Sequence, residues 1–412
     1  MKGQGVFKNE SVKKAVYLGV LCAVSYLAVY IARNVLGAVS AQMEGEFGAA
    51  FIGNLGTVYY ALYAIGQLLN GILGDKIKAR NMISLGLLLA GITNAFFVFA
   101  TDISRLMALV AYGATGFFLA MIYAPMTKVV SENTEPHHAV RCSLGYTFSS
   151  FLGSPIAGLL AATFAWQATF FVSSGALIVM AVACFAIFLM FEKRGFVKYG
   201  QFEKAVKAQK GGTVKVLLKR NIIKFTLVAG LTGVVRTTVV AFFTMYFSGA
   251  LGYSPEESSL VYTVTTLVIS AAAFIAIFMY ERMGRRMNLS LIVMFGLSTA
   301  CLVLTFLVRV PILNVSFLTL AVLFCNCSST ILWSVYCPSL YDTGRVSSAT
   351  GFLDFVSYMS AAAASSAFGY VVEAQIVSWW TLVLVWTVLM GLGVVVALPF
   401  DHFKRKRAQS QL

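Results

Sequence analysis

Charge is what this chain has least of. Asp, Glu, Lys and Arg make up 11% of its 412 residues, where a soluble domain carries about 25%. Hydrophobic residues make up 59% and mean hydropathy is +0.82, so no water-soluble packing can hide the apolar surface. The same figures exclude disorder, collagen, a coiled coil and a disulfide scaffold. Histidine is scarcer still. There are three, with His137 and His138 adjacent in a loop, so no metal cluster is expected. Of the seven cysteines, Cys22, Cys184, Cys301, Cys325 and Cys327 fall inside apolar runs. Cys142 and Cys337 sit at the ends of such runs. Cys325-Asn-Cys327 is not metal spacing, and all seven read as small packing residues. The chain has no Gly-x-Ser-x-Gly, no phosphate-binding loop and no nucleotide-binding domain. Neither an enzyme nor a cofactor is expected, and ATP is not the drive.

Apolar runs occupy residues 14–38, 51–74, 80–100, 105–130, 140–164, 168–191, 222–247, 257–280, 288–308, 312–337, 347–371 and 376–398. A bilayer span needs roughly 20 apolar residues. These runs are continuous rather than alternating, so they predict helices and not barrel strands. The expected fold class is an all-α membrane protein with 12 transmembrane helices in two pseudo-symmetric six-helix bundles. The first run contains Arg33 and has no clear small-residue cleavage site, so it is expected to remain a span.

All but four of the 31 Lys and Arg fall on one side of this arrangement. The four are Arg33 and Arg236 within spans, and Arg105 and Arg309 on the other side. Glu44, Glu46, Asp102, Glu256, Glu257 and Glu373 also lie on that other side. By the positive-inside rule the basic side is cytoplasmic, with both termini, in the cell (cytoplasmic) membrane. The net charge of +15 is therefore topological, with some attraction to lipid headgroups, and does not indicate nucleic acid.

The longest polar stretch, Lys193 to Lys219, separates six spans from six. The expected division is an N-terminal bundle 1–192, a basic cytoplasmic linker 193–221 and a C-terminal bundle 222–412. The halves echo each other. Span 2 ends in Gly71-Ile-Leu-Gly74-Asp75-Lys76-Ile-Lys78-Ala-Arg80, and span 8 in Glu281-Arg282-Met-Gly284-Arg285-Arg286. Each half carries one Arg deep in its first span. Internal repeats of this kind are a feature of transporter folds. The span 2 turn resembles the signature loop of the major facilitator superfamily, repeated more weakly after span 8. The resemblance implies a gating role for Asp75, Lys76, Arg80, Glu281, Arg282, Arg285 and Arg286, through ties that hold one conformation and break in another.

Arg33, Arg236 and Asp354 lie well inside spans. A charge at the bilayer centre costs at least about 2.5–3.5 kcal/mol, so it usually faces a cavity and has a function. Tyr26 and Tyr30 share the face of Arg33. Two guanidinium forks on symmetry-related helices read as an anion clamp for phosphate or carboxylate. Snorkelling of Arg33, or pairing of one Arg with Asp354, are the structural alternatives. Other candidates follow from helical spacing: Tyr63, Gln67 and Asn70 on span 2, Asn326, Thr330 and Trp333 on span 10, and Asp354 with Tyr358 on span 11. Tyr146, Ser149, Ser150 and Gly153 on span 5 suit close packing.

Tyr26-x3-Tyr30-x2-Arg33-Asn34 and Arg236-x9-Tyr246-Phe247 are similar to the first and seventh helices of the organophosphate:phosphate antiporters. So are Tyr123-Ala-Pro125, Trp166-Gln167-Ala168 and Gly351-Phe352-x5-Tyr358. This resemblance implies that Arg33 and Arg236 grip a phosphate with Tyr26, Tyr30 and Tyr246 as neighbours, and it adds Gln167 to the site. The chain departs from the glycerol-phosphate carriers at Gln67 (Lys there), Gln167 (His), Phe242 (Trp), Thr244 (Pro) and Asp354 (Gly). The site has lost positive charge and gained a carboxylate.

The expected function is secondary active transport of a small organic anion, phosphate-bearing, by alternating access and exchange. The substrate is an anionic or zwitterionic small molecule, phosphate or a proton is the counter-species, and a monomer suffices. The alternatives are a proton-coupled symporter or drug or zwitterion exporter using Asp354, and a transporter-like sensor of a phosphorylated ligand. Only short polar stretches flank the spans, which counts against the sensor.

Overall fold

A computed structural model describes residues 2–73, 77–199, 218, 220–340, 346–376 and 378–399. These residues form twelve helical segments. They are α1 (Lys2–Phe47), α2 (Ala49–Leu73), α3 (Ala79–Ile103), α4 (Arg105–Asn133), α5 (Pro136–Thr163) and α6 (Trp166–Lys193), then α7 (Ile222–Leu251), α8 (Pro255–Arg282), α9 (Met287–Leu307), α10 (Pro311–Ser339), α11 (Val346–Glu373) and α12 (Trp379–Ala397). Among the described residues, ten of them are long and apolar enough to cross a membrane; α2 and α5 complete the twelve.

Local chemistry sets several starts. Ser104 caps α4 by accepting from the Met107 N–H at 3.1 Å. Ser254 and Glu257 form a capping box at α8: each accepts from the other's backbone N–H, at 3.2 and 2.9 Å. Pro136 and Pro311 open α5 and α10, where a missing N–H costs nothing. Three helices are interrupted. α4 breaks at residues 120–122 and α8 at Ala271, while α10 passes through a π-helical turn at Leu332–Tyr336 just before Pro338.

Large apolar side chains such as Leu106, Val179, Val182, Phe274, Phe278 and Ile312 are exposed, the inverse of a soluble protein. Between helices, small residues and hydroxyls do the packing, because lipid offers no hydrophobic drive to association. Asn94 on α3 donates to Ser173 and Ser174 on α6 at 3.1 and 2.9 Å.

Two compact units emerge, and they do not coincide with the sequence halves. The first comprises Met1–Ala205 together with Val240–Ser270 and Ala361–Ile376. Within it, the ends of α7, α8 and α11 nearest Glu256 and Glu373 lie directly on α1, α2 and α5. Ser40 on α1 bonds Thr244 on α7 at 2.6 Å, and Ser259 on α8 donates to the Ala38 carbonyl at 3.0 Å. Thr57 on α2 donates to the Ala362 carbonyl on α11 at 2.6 Å, and Ser366 to Asn54 at 2.6 Å. Gly53 and Gly369 let these two backbones touch: a Cβ on either would stand 3.0 Å from the other's Cα.

The second unit comprises Val206–Val239, Ala271–Ser360 and Val377–Leu412. Here Ser298 on α9 donates to the Ala321 carbonyl on α10 at 2.8 Å. Lys224 ties α7 to α9 and α12 through Asn288 at 2.9 Å and the Ala397 carbonyl at 2.8 Å. The ammonium thus meets a helix C-terminus, its favourable pole. Arg309 lies 3.4 Å from the centre of the Trp380 ring, which shields the cation at a helix end.

Candidate functional site

The face of α1 predicted from Tyr26, Tyr30 and Arg33 exists, and the first unit gathers a cluster of tyrosines around it. The Arg33 guanidinium lies 4.9 Å from the Tyr63 ring centre and 5.6 Å from that of Tyr30. Tyr63 comes from α2, so α1 and α2 meet at Arg33. Tyr26 packs edge-on to Tyr30 at 5.0 Å, and reaches Tyr123 at 5.4 Å and Tyr146 at 6.4 Å. Tyr123 owes its place to the break in α4, after which it comes immediately. It is 40% exposed, while Tyr26 and Tyr146 are buried. Behind Tyr63 a second layer runs through Tyr59, at 6.2 Å, to Tyr112 at 5.0 Å from Tyr59. Spacing alone does not single out Tyr59 or Tyr112, although Tyr59 lies four residues before Tyr63 on the same face. Ring faces stack on a guanidinium plane and so fix the orientation in which its N–H groups meet an in-plane acceptor.

In the second unit Arg236 is half-buried on α7, and its Nη1 donates to the Ser329 hydroxyl on α10 at 3.4 Å. Trp333 donates its indole N–H to the same oxygen at 3.1 Å. Ser329 is therefore the junction of the Arg236 environment. Ser329 lies three residues after Asn326 and four before Trp333, on the same helical face, although spacing alone does not single it out from Thr330. Asn326 turns its amide onto its own helix, donating to the Val322 carbonyl at 2.9 Å. Gly233, one turn before Arg236, faces Ser357 of α11 so closely that a Cβ would collide with that backbone. The next residue, Tyr358, is 7% exposed. Asp354 acts electrostatically on Cys337 of α10, which lies eight residues beyond Ser329 or about 12 Å along that helix.

Two expected neighbours lie elsewhere. Tyr246 is fully buried in the stretch of α7 that belongs to the first unit, ten residues or about 15 Å along the axis from Arg236. Gln167 comes directly after Trp166, whose indole N–H donates to Glu46 at 3.2 Å. Glu46 is 13 residues from Arg33, about 20 Å along α1, so Gln167 stands at the acid-bearing end rather than at the arginine. Gln67 is half-buried one turn beyond Tyr63 on α2.

Of the expected gating residues, Asp75 and Lys76 lie outside the described residues. Arg80 pairs with Glu192 of α6 at 2.9 Å and lies over the Phe185 ring at 4.9 Å. Tyr199 donates to the other Glu192 oxygen at 2.7 Å, and Asn133 fixes the Lys198 backbone from both sides, at 2.9 and 2.7 Å. Burial and the Glu192 carboxylate push the Tyr199 phenol above its ordinary range. Glu281 pairs with Arg285 at 3.7 Å within their own exposed turn; Arg282 ends α8 and Arg286 precedes α9. Among the described residues no group of three or more His, Cys, Asp or Glu could hold a metal.

This architecture matches a known class. A model of the Major Facilitator Superfamily matches residues 22–366, and the chain belongs to that family. It is a multi-pass membrane transporter rather than an enzyme. A bacterial homologue of the human lysosomal transporter Spinster superposes with a TM-score of 0.74 at 14% identity, covering 93% of this chain and 94% of that one. A D-xylose–proton symporter does so with a TM-score of 0.74 at 9% identity, covering 93% and 96%. These likenesses establish the fold alone. Sequence relatives match shorter stretches. The membrane sensor protein UhpC of Escherichia coli is 30% identical over 80 residues, 19% of this chain and 18% of its own. A probable hexose phosphate transport protein of Chlamydia pneumoniae is 23% identical over 111 residues, 26% and 24% of the two chains.

Proposed function

We propose that this transporter carries a small organic anion bearing a phosphate group, in exchange for inorganic phosphate, with Arg33 and Arg236 as the two cationic contacts. The observation that carries the reading is the seat of Arg33. Its guanidinium lies over the Tyr63 and Tyr30 rings, 4.9 and 5.6 Å from their centres, and rings beside a guanidinium favour the planar, bidentate recognition of an oxyanion. Arg236 engages Ser329 through Nη1, which leaves the edge made by Nε and Nη2 for a second pair of oxygens. The partial sequence relatives, one of them a probable hexose phosphate transport protein, support a phosphate-bearing substrate.

An anion bound to both arginines would neutralise two charges that are costly in a low-dielectric cavity. Closing over an empty, cationic cavity would be slow, and this asymmetry enforces exchange over one-way flux. The charge bias of the loops supports cytoplasmic termini in the cytoplasmic membrane.

The test is exchange in proteoliposomes loaded with phosphate, with labelled phosphate outside. Arg33→Lys and Arg236→Lys keep the charge and lose the fork, so each is expected to abolish most of the exchange. Wild type without exchange would refute the reading. A second reading, a sensor that binds a phosphorylated ligand without moving it, is favoured by the UhpC relative. It predicts saturable phosphate-ester binding with no exchange.

A further inference from the structure

We propose that Glu373 is a conformational latch: from the last turn of α11 its carboxylate caps the N-terminus of α2 and holds the acid-bearing end of the first unit closed. The latch closes on the turn between α1 and α2. One residue, Gly48, joins Phe47 to Ala49, and it takes φ of +82°. A side chain there would be strained, and its Cβ would lie 2.5 Å from Glu373 Oε2. The position that would supply a helix cap must therefore be glycine, which has no side chain to cap with. The first turn of α2 imports its acceptor instead. Ala50 N–H donates to Glu373 Oε2 at 2.6 Å, across 323 residues of sequence.

The charge makes this contact dependent on state. Glu373 is the last residue of α11, the negative pole of its own helix, where a carboxylate is disfavoured. On the α2 N-terminus it meets a positive pole. Separation of α11 from α2 would remove the favourable pole and leave the Ala50 N–H uncapped, while the unfavourable pole of its own helix is present in both states, so the contact favours the closed state. The other α2–α11 contacts near it are neutral: Thr57 to the Ala362 carbonyl, Ser366 to Asn54, and Asn54 to the Tyr370 hydroxyl at 3.1 Å. Such uncharged bonds find water when the helices part and discriminate weakly between states. Glu373 is therefore the element of this contact that biases the equilibrium toward closure.

The inference rests on the alternating exposure of a transporter, and its test needs no substrate, so it stands or falls apart from the phosphate reading. Ser259 is fully buried in the same closed end, against the Ala38 carbonyl. A Ser259→Cys reporter in the purified full chain is labelled with a bulky polar maleimide, and the same protein without the reporter gives the background. Glu373→Ala is expected to raise the labelling rate about fivefold, the change in population set by roughly 1 kcal/mol at a helix N-terminus. Glu373→Asp, one methylene too short, is expected to act in the same direction. Gly48→Ala displaces the carboxylate and is also expected to raise the rate. The Gly48→Ala/Glu373→Ala double variant is expected to label no faster than the stronger single, because both remove one contact. Native Cys22 and Cys184, buried within the first unit, report unfolding. An unchanged reporter rate in Glu373→Ala and Glu373→Asp overturns the proposal. A parallel rise at Cys22 and Cys184 also overturns it, since Glu373 would then support the fold rather than one state of it.

Discussion

Ser329 offers the sharpest test of how the second arginine is held. Its hydroxyl oxygen accepts from Arg236 Nη1 at 3.4 Å and from Trp333 Nε1 at 3.1 Å, and Ser329 itself is buried. Ser329→Ala deletes both contacts at once without a large change of volume. A hydrogen bond to a charged group contributes about 1.5–3 kcal/mol, but 3.4 Å is at the long end of the range, so about 1 kcal/mol is the appropriate figure. The sign depends on whether anion binding keeps or breaks the bond. A guanidinium tied through Nη1 still presents the parallel N–H groups of Nε and Nη2, so binding keeps it. The variant then loses orientation that the wild type has before the anion arrives. Phosphate exchange should show KM raised about fivefold with Vmax within about twofold. Ser329→Thr, which keeps the hydroxyl, should restore KM. A KM in Ser329→Ala equal to or below that of wild type would refute the reasoning, since Ser329 would then be idle or a competitor for the guanidinium.

Tyr63→Leu removes the nearer ring beneath Arg33 and should raise phosphate KM at least threefold, whereas Tyr63→Phe should not, because cation–π attraction of about 0.5–2 kcal/mol needs the ring and not the hydroxyl. Arg80→Gln leaves Glu192, 20% exposed, without its 2.9 Å partner, and a thermal melt in detergent should show Tm lower by several degrees with phosphate KM unchanged. The Tyr199 phenol has a raised folded-state pKa, so the stability it contributes is complete below its ordinary value of 10.0 and lost as pH rises above it. Above that pH the Tm of wild type should fall more steeply than that of Tyr199→Phe; parallel profiles would leave the phenol no part in stability.

Most of the fold was legible because the bilayer imposes a single strong rule: roughly 20 apolar residues per span, with the basic residues gathered on one side. The twelve runs correspond to the twelve helical segments within a few residues at most ends. The interruptions were less legible. Nothing in the hydropathy of 311–339 marks a π turn, and the break at 120–122 follows from Pro125, which clashes with the carbonyl four residues before it rather than changing the hydropathy. The division into compact units was not legible at all. Small residues such as Gly37, Ser40, Gly53 and Gly369 read as generic membrane-helix packing, and only their partners show that α7, α8 and α11 cross into the first unit at one end.

The site was legible as faces and not as levels. Helical spacing shows which side chains share a stripe, and for Tyr26, Tyr30 and Arg33 that sufficed, because seven residues span little more than about 10 Å. It fails once the separation grows. Tyr246 shares a helix with Arg236 and Gln167 a bundle with Arg33, yet each stands some 15–20 Å away along an axis. The residues that act through partners on other helices were harder still to find. Ser329 and Glu373 are of this kind, and a serine or a terminal glutamate carries no mark of it in sequence. Gly48 came closest to being such a mark. A lone glycine between Phe47 and Ala49, with no Ser, Thr, Asp or Asn to cap the first turn of α2, leaves N–H groups for an acceptor from elsewhere in the chain or for water.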